Sequence, residues 1–178
     1  MPNRDVILTT KIHIPKTGGP LVERPRLFRS LDEGQGKTVT LVCSPAGSGK
    51  STLLAEWAEK RESRAAWLSV DEHDNQPRRF FGHLIAAADA VCPGFAAMVE
   101  PALSDAGSAA GAPLLFQLAN EFNQLSAPLT VILDDYHLIR NDDIHRSLDF
   151  LLERLPERIR FVITARSEPP LALHRHAA

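Results

Sequence analysis

The sequence predicts an α/β fold in which helices flank a parallel sheet. Four short runs of β-branched and apolar residues alternate with longer segments whose apolar residues recur at helical spacing. Strands that alternate with helices of this length form βαβ units, and the strands of such units are parallel. The run LTVIL at 129–133 is apolar throughout, as expected of a strand that is covered on both faces of the sheet.

The individual elements follow from local patterns. We predict four strands, over 38–43, 65–70, 129–133 and 158–165. We predict helices with one apolar face over 51–61, 76–91, 113–125 and 142–155. A further short helix in VERPRLFRSLDEG places Leu27, Phe28 and Leu31 on one face and ends at Gly34. The segment 93–112 is rich in Ala, Gly, Ser and Pro, which predicts an irregular surface segment or a weak helix with a flexible loop.

Composition excludes several classes of protein. The 178 residues carry 20 Lys and Arg against 22 Asp and Glu, a net charge of −2, which argues against a free-standing nucleic-acid binder. No apolar run approaches the roughly 18 residues of a membrane span, and the first residues lack the features of a signal peptide. We therefore expect a cytoplasmic protein without membrane contact.

The segment SPAGSGKS, between a predicted strand and a predicted helix, has the features of a phosphate-binding loop. Gly47 and Gly49 allow backbone N–H groups to point into one concave nest. Lys50 is expected to reach the β- and γ-phosphates, and the Ser51 hydroxyl is expected to bind Mg²⁺. The full set of candidate nucleotide-binding residues in this loop is Ser44, Pro45, Ala46, Gly47, Ser48, Gly49, Lys50, Ser51 and Thr52.

Ser44 stands where the strict pattern G-x-x-x-x-G-K-[ST] has its first glycine. Serine is also a small turn former, so we expect the loop to form. The alternative is an ordinary glycine-rich turn with a chance Lys-Ser pair, which the flanking strand and helix disfavour.

Two further sites follow strands. Asp134 and Asp135 come at the end of LTVIL, and Arg166 follows RFVITA. Ligand groups in such sheets lie at the carboxyl ends of strands, so we expect Asp134 to bind Mg²⁺ and Asp135 to orient or deprotonate the attacking water. Arg166 is a candidate for sensing the γ-phosphate. The alternatives are a solvated acidic turn and a solvated arginine.

The spacing of these motifs favours one branch of P-loop NTPases. The strand at 65–70 intervenes between the strand before Lys50 and the strand before Asp134. An inserted strand between these two favours the additional-strand branch, to which AAA-type ATPases belong, by fold analogy.

The motifs together resemble a known family. They are similar to the N-terminal nucleotide-binding region of MalT-like, large ATP-dependent LuxR-type transcriptional regulators, a group of signal-transducing (STAND) ATPases. The matching segments are VERPRL (22–27), VCSPAGSGKSTLLAEWA (42–58), AWLSVDEHDNQPRRF (66–80), VILDDYHLI (131–139) and VITARSEPPL (162–171). The serine at position 44 is itself typical of that family.

The resemblance implies ATP or ADP as the nucleotide, with Mg²⁺, and places Val22 and Arg24 near the adenine or ribose. It marks Asp71, Asp74 and Asn75 as family-typical positions, which we interpret as structural. It also implies self-association of a full-length parent, and DNA binding only through a C-terminal helix-turn-helix that these residues do not include.

We therefore expect an ATP-binding switch module of a transcriptional activator, with slow ATP hydrolysis at most. The alternatives are a small P-loop kinase and a non-functional truncated remnant. The expected organisation is a lead-in with an adenine-side segment at 1–37 and an incomplete nucleotide-binding core at 38–178, ending before a fifth strand and a lid. The absent strand would flank the strand at 38–43, whose edge we expect to be exposed or covered by the lead-in.

Overall fold

Four strands form one parallel sheet in the computed structural model, which describes residues 7–16, 24–34, 36–60, 64–106 and 111–172. The strands are β1 (Val39–Cys43), β2 (Arg64–Ser69), β3 (Leu129–Asp134) and β4 (Ile159–Ala165). Every strand prediction is confirmed, with ends displaced by no more than one residue. The α/β class is likewise confirmed.

The strand order is β1-β4-β3-β2, with all pairs parallel. The strand before Lys50 and the strand before Asp134 are therefore separated, as the additional-strand branch requires. The strand that separates them in space is β4, however, and not β2. β2 follows β1 in the sequence but lies at the far edge of the sheet, so sequence order alone indicated the wrong neighbour.

Within the described ranges, one helix precedes the first strand and five lie between strands. They are α1 (Pro25–Glu33), α2 (Lys50–Glu59), α3 (Pro77–Val91), α4 (Phe95–Asp105), α5 (Ala112–Gln124) and α6 (Asp142–Leu152). Three short 3₁₀ turns occur at Thr9–Lys11, Glu72–Asn75 and Tyr136–Leu138. Asn141 caps α6 by accepting a hydrogen bond from the Asp143 N–H at 2.9 Å.

For 93–112, composition allowed an irregular surface segment or a weak helix with a flexible loop, and the structure has the helix α4 over Phe95–Asp105. Phe95 and Val99 are buried in the core, and the Phe95 ring lies 4.9 Å from the Phe122 ring. Burial of this apolar face, together with the helix-forming Ala, Met, Glu and Leu residues of the segment, offsets the cost of Pro101 inside the helix. The predicted apolar face of α1 is also corrected at one position, because Leu27 is 41% exposed.

Apolar side chains cover both faces of the sheet. On one face, α1 and α2 pack against Trp67, Ile132 and Val162. On the other face, α3, α4, α5 and α6 pack against the alternate residues of the same strands, such as Leu68 and Val131. β3 and β4 are buried along their whole length, which accounts for their continuous apolar sequences.

β1 forms an edge of this sheet, and no strand in the described ranges pairs with its outer side. Its residues 39–42 are only half-buried and Cys43 is exposed. In the lead-in, Gly34 lies close to Thr40 of β1, and Leu31 and Phe28 belong to the cluster against which Val42 packs. The turn Thr9–Lys11 lies against β2, at the opposite side of the sheet, because Lys11 forms ion pairs with Asp71 and Asp74 there.

Across the parts of the chain that the structure describes, no helix is both long enough and apolar enough to span a bilayer.

Candidate functional site

The loop between β1 and α2 has the backbone conformation of an anion-binding nest. Gly47 and Gly49 have φ values of 75° and 79°, which residues with a Cβ rarely adopt. Ser44 still belongs to the sheet, since its N–H donates to the Ala165 carbonyl at 3.2 Å. α2 begins directly after Gly49, so the positive end of its dipole faces the loop.

The serine that replaces the first glycine of the motif has a structural partner. The Ser44 and Ser48 hydroxyl oxygens lie 2.6 Å apart, which joins the two ends of the turn. The departure from the strict motif therefore leaves the loop intact and adds a hydrogen bond across it.

Lys50 lies under the loop with its ammonium group inside the turn. Its Nζ donates to the Ser44 carbonyl at 2.7 Å and to the Pro45 carbonyl at 3.1 Å. The residue is only 8% exposed. These bonds use two of the three N–H donors of the ammonium group. They hold the positive charge beside the loop, at the cavity that Lys50 lines.

Asp134 lies next to two hydroxyl groups at the end of β3. The Thr164 hydroxyl donates to its Oδ1 at 2.7 Å, and Ser51 hydrogen bonds to the same carboxylate. Burial raises the pKa of Asp134, although both of these hydrogen bonds act to lower it. A buried carboxylate beside a serine hydroxyl is a pair of oxygen ligands suited to a divalent cation.

Asp135 occupies a special backbone position. With φ 59° and ψ 34°, it is the one non-glycine residue with positive φ in the described part of the chain. Its N–H donates to the Thr164 Oγ1 at 2.8 Å, and its side chain is 43% exposed. This second acid of the pair is much more exposed than Asp134, which is buried.

His137 lies beside Asp135, with 3.8 Å between its Nδ1 and the Asp135 Oδ1. Its side chain is 12% exposed, and neither ring nitrogen has a hydrogen-bond partner within the described residues. Burial lowers the pKa of His137; the negative Asp135 opposes this, and the positive Arg166 and Lys50 add to it. The imidazole therefore belongs electrostatically to the same site.

A cavity of about 390 Å³ brings the predicted residues together. Its lining consists of Ala46, Gly47, Gly49, Lys50, Ser51, Thr52, Asp135 and Arg166. The loop after β1, Asp135 after β3 and the arginine after β4 thus meet at one edge of the sheet, as the carboxyl ends of parallel strands should. Asp134 and the predicted loop residues Ser44, Pro45 and Ser48 do not line this cavity.

Arg24 reaches the same loop from the start of α1. Its Nη1 donates to the Ser48 carbonyl at 3.2 Å, and its guanidinium group lies against Gly49. Val22, the other residue expected near the base or ribose, lies outside the described residues. The Ser44–Ser48 hydrogen bond and the bond from Arg24 both hold the loop at Ser48.

The residues present fit a nucleotide phosphate with Mg²⁺. The nest, the α2 N-terminus and Lys50 supply positive potential in a cavity of suitable size. Within the described ranges, no group of three His, Cys, Asp or Glu side chains could hold a metal ion by itself. Mg²⁺ often takes one or two protein oxygens, with water and phosphate completing its shell, and Ser51 with Asp134 provides that pair.

Two residues of the site were missed or undervalued by the sequence. Thr164 joins both acids of the pair, yet it stands inside a strand sequence, and its only signal is one hydroxyl near the end of the apolar run RFVITA. His137 follows the acid pair closely and could contact the site, although a surface or packing role is the safer interpretation of the sequence. The contacts of Thr164 depend on how β3 and β4 pair.

Comparison with known proteins also indicates a nucleotide-binding domain. The sequence matches the family described as AAA ATPase domain over residues 25–163. It is 39% identical over 169 residues to the HTH-type transcriptional regulator MalT of Serratia proteamaculans and 37% identical to that of Yersinia enterocolitica. Each alignment covers 94% of this chain and 18% of the relative, so the chain spans less than a fifth of the length of these regulators.

Among solved structures, a chain of the Drosophila ORC bound to AT-rich DNA and Cdc6 is 15% identical and aligns with 80% of this chain and 44% of its own. Its TM-score of 0.47 is too low to add to the assignment. The family match covers most of the chain and contains the loop, the acid pair and most of β4. This chain belongs to the AAA ATPase domain family.

Proposed function

We propose that this chain binds ATP and ADP with Mg²⁺ and serves as the nucleotide-dependent switch module of a transcriptional regulator related to MalT. The observation that carries the proposal is the cavity in which Lys50, Ser51, Asp135 and Arg166 converge. Membership of an ATPase family and similarity to MalT regulators support the nucleotide and the regulatory role.

Each residue has a proposed part. The nest and Lys50 hold the phosphates, and the hydroxyl of Ser51 with the carboxylate of Asp134 holds the metal. Bound Mg²⁺ supplies positive charge that offsets the charge of the phosphates. Asp135 orients or deprotonates water, and Arg166 senses the γ-phosphate. From the family resemblance, we also propose that Arg24 and Val22 contact the base or ribose.

Slow hydrolysis suits this arrangement. Asp is one methylene group shorter than the Glu often found at such a position, and the Asp135 side chain is 43% exposed. A half-exposed carboxylate is weakly positioned for taking a proton from water. In a longer regulator, the bound nucleotide would then control self-association, and DNA contact would be made by another part of the protein.

Titration calorimetry with ATP, ADP and GTP in the presence of Mg²⁺ tests the proposal. Lys50→Ala should weaken ATP binding by roughly 10- to 150-fold, as expected for the loss of a charged hydrogen bond of about 1.5–3 kcal/mol. Lys60→Ala is the matched control, since Lys60 lies at the other end of α2 and pairs with Glu56 at 2.7 Å. Its ATP affinity should equal that of the wild type.

Three results would contradict the proposal. Absence of ATP binding by the wild type would favour a non-functional remnant. Transfer of phosphate to a small acceptor would favour a P-loop kinase. Equal ATP affinity of the Lys50→Ala variant and the wild type would remove the cavity as the binding site.

A further inference from the structure

Asn75 connects the turn after β2 to the loop between β3 and α6, residues 134–141, which carries Asp134 and Asp135 and is called the acid-pair loop below. Its Nδ2 donates to the Leu138 carbonyl at 2.9 Å, and its Oδ1 accepts from the N–H groups of Arg140 at 2.6 Å and Asn141 at 3.2 Å. The Asn141 side chain returns a bond to the Asn75 carbonyl at 2.9 Å. One side-chain amide therefore serves three backbone groups of the other loop.

These backbone groups lack partners of regular secondary structure. The 3₁₀ turn ends at Leu138, and α6 begins only after its cap, Asn141. The N–H groups of residues that precede a helix have no acceptor within that helix. The Asn75 side chain supplies the missing acceptor for the two N–H groups. Because an amide carries both a donor and an acceptor, the same side chain also donates to the Leu138 carbonyl.

Asn75 is itself held by a fixed turn. The Asp71 carboxylate accepts from the His73 N–H, and the Asp74 carboxylate accepts from the Asp71 N–H, each at 2.9 Å. Asp74 is fully buried and also binds Lys11 and His83. The turn Glu72–Asn75 is thus a rigid base from which the amide extends.

The other end of the acid-pair loop is held by Thr164, and the middle by the buried Tyr136, whose hydroxyl lies 2.9 Å from His145 Nδ1. Between these points Asp135 keeps its left-handed conformation, which costs of order 1–3 kcal/mol. Such a conformation persists only where the surroundings fix it from several sides. The bonds of Asn75 provide the constraint on the far side.

We infer that Asn75 is a positioning residue of the candidate site: it fixes the end of the acid-pair loop and thereby holds Asp135 and His137 beside the cavity. The inference rests on the proposed function in one respect only, which is that Asp135 is held there to act on bound nucleotide. Asn75 contacts neither the cavity nor the phosphate loop, so it acts through the loop alone.

The test compares Asn75→Ala with Asn123→Ala in the full chain without nucleotide. Asn123 is a matched control, because its Nδ2 donates to the carbonyls of Ala119 at 2.8 Å and Arg154 at 2.9 Å and joins two other elements in the same way. Both variants lose one amide that bridges backbone groups. A general loss of stability would therefore affect them alike.

Hydrogen exchange measured by NMR reports the effect on the loop. The N–H groups of Asp135, Leu138 and Ile139 have partners other than Asn75. We expect them to exchange at least tenfold faster in the Asn75 variant and at the wild-type rate in the Asn123 variant. Faster exchange confined to Arg140 and Asn141 would overturn the inference, since the effect would then be local.

The imidazole titration of His137 gives a second readout that general destabilisation would not move. Burial holds its pKa below the ordinary value, so release of the loop should move it up toward about 6.5. An unchanged titration in the Asn75 variant would also overturn the inference. Neither measurement needs nucleotide. Failure of the wild type to bind ATP would therefore overturn the proposed function alone.

Discussion

The buried carboxylate of Asp74 should make the stability of this chain depend on pH. Asp74 is fully buried, forms a close ion pair with Lys11 and accepts a hydrogen bond from His83 Nδ1 at 2.8 Å. Burial alone would raise its pKa, but the bonds to His83, Lys11 and the Asp71 backbone outweigh this and lower the pKa from 3.8 to about 2. The informative substitution is Asp74→Asn, which keeps the shape and removes the charge.

The size of the effect follows from that displacement. At about 1.4 kcal/mol for each pH unit, a pKa of about 2 in the folded state against 3.8 in the unfolded state contributes about 2 kcal/mol of stability. Because the folded-state pKa is the lower one, this contribution is complete above pH 3.8 and is lost as the pH falls to about 2. Near neutral pH, Asp74→Asn should cost at least this amount, because Lys11 then keeps only the partly exposed Asp71 carboxylate, at 3.1 Å, as its ion-pair partner.

Urea unfolding followed by circular dichroism from pH 6 down to pH 2 measures this. The difference in unfolding free energy between the wild type and the Asp74→Asn variant should shrink by about 2 kcal/mol over that range. Asp105→Asn is the control, since Asp105 is exposed at the end of α4 and its difference from the wild type should stay flat. A difference for Asp74→Asn that is constant with pH would refute the reasoning.

Two further predictions concern the candidate site, each with a control. Gly49→Ala should destabilise the fold by about 1–2 kcal/mol in urea unfolding, because φ is 79° and the new Cβ would lie 3.4 Å from the Arg24 guanidinium. Gly82→Ala, inside α3, should be neutral or stabilising, and equal effects of the two would contradict the strain argument. Thr164→Val should cost about 1–3 kcal/mol by the same measurement, because it removes both bonds to the acid pair. Thr40→Val should cost nothing, since the buried Thr40 hydroxyl has no partner among the described residues; a neutral Thr164→Val would count against the proposed role of that hydroxyl.

Local sequence patterns determined most of the fold. The strands were predictable because their apolar runs reflect burial on both faces, and the helices because their apolar residues recur at helical spacing. For α4, the sequence left a weak helix and an irregular segment as alternatives. The burial of Phe95 against Phe122 is a tertiary contact that favours the helix and that composition could not show. Strand order was likewise set by pairing in space, which put β4 between β1 and β3.

In the candidate site, too, the residues within one sequence motif were predictable, and the contacts between distant residues were not. The loop from Ser44 to Thr52 was predictable because one continuous motif contains its turn, cation and hydroxyl. The contacts of Thr164 with Asp135 and of Asn75 with Arg140 join residues that are 29 and 65 positions apart. No local pattern encodes such pairs, because they depend on how distant loops meet after the sheet has formed.

The central place of β4 also bears on how the chain folds. Among the described strands, β1 pairs with β4 alone, and β4 comes last in the sequence. During synthesis the phosphate loop is therefore made early but has no strand beside it until Ile159–Ala165 has emerged and inserted between β1 and β3. Long-range parallel pairing of this kind folds slowly, because loop closure precedes the contacts that stabilise it. A nascent chain that stopped before β4 would consequently hold β2 and β3 as a pair, with β1 and its loop left unattached.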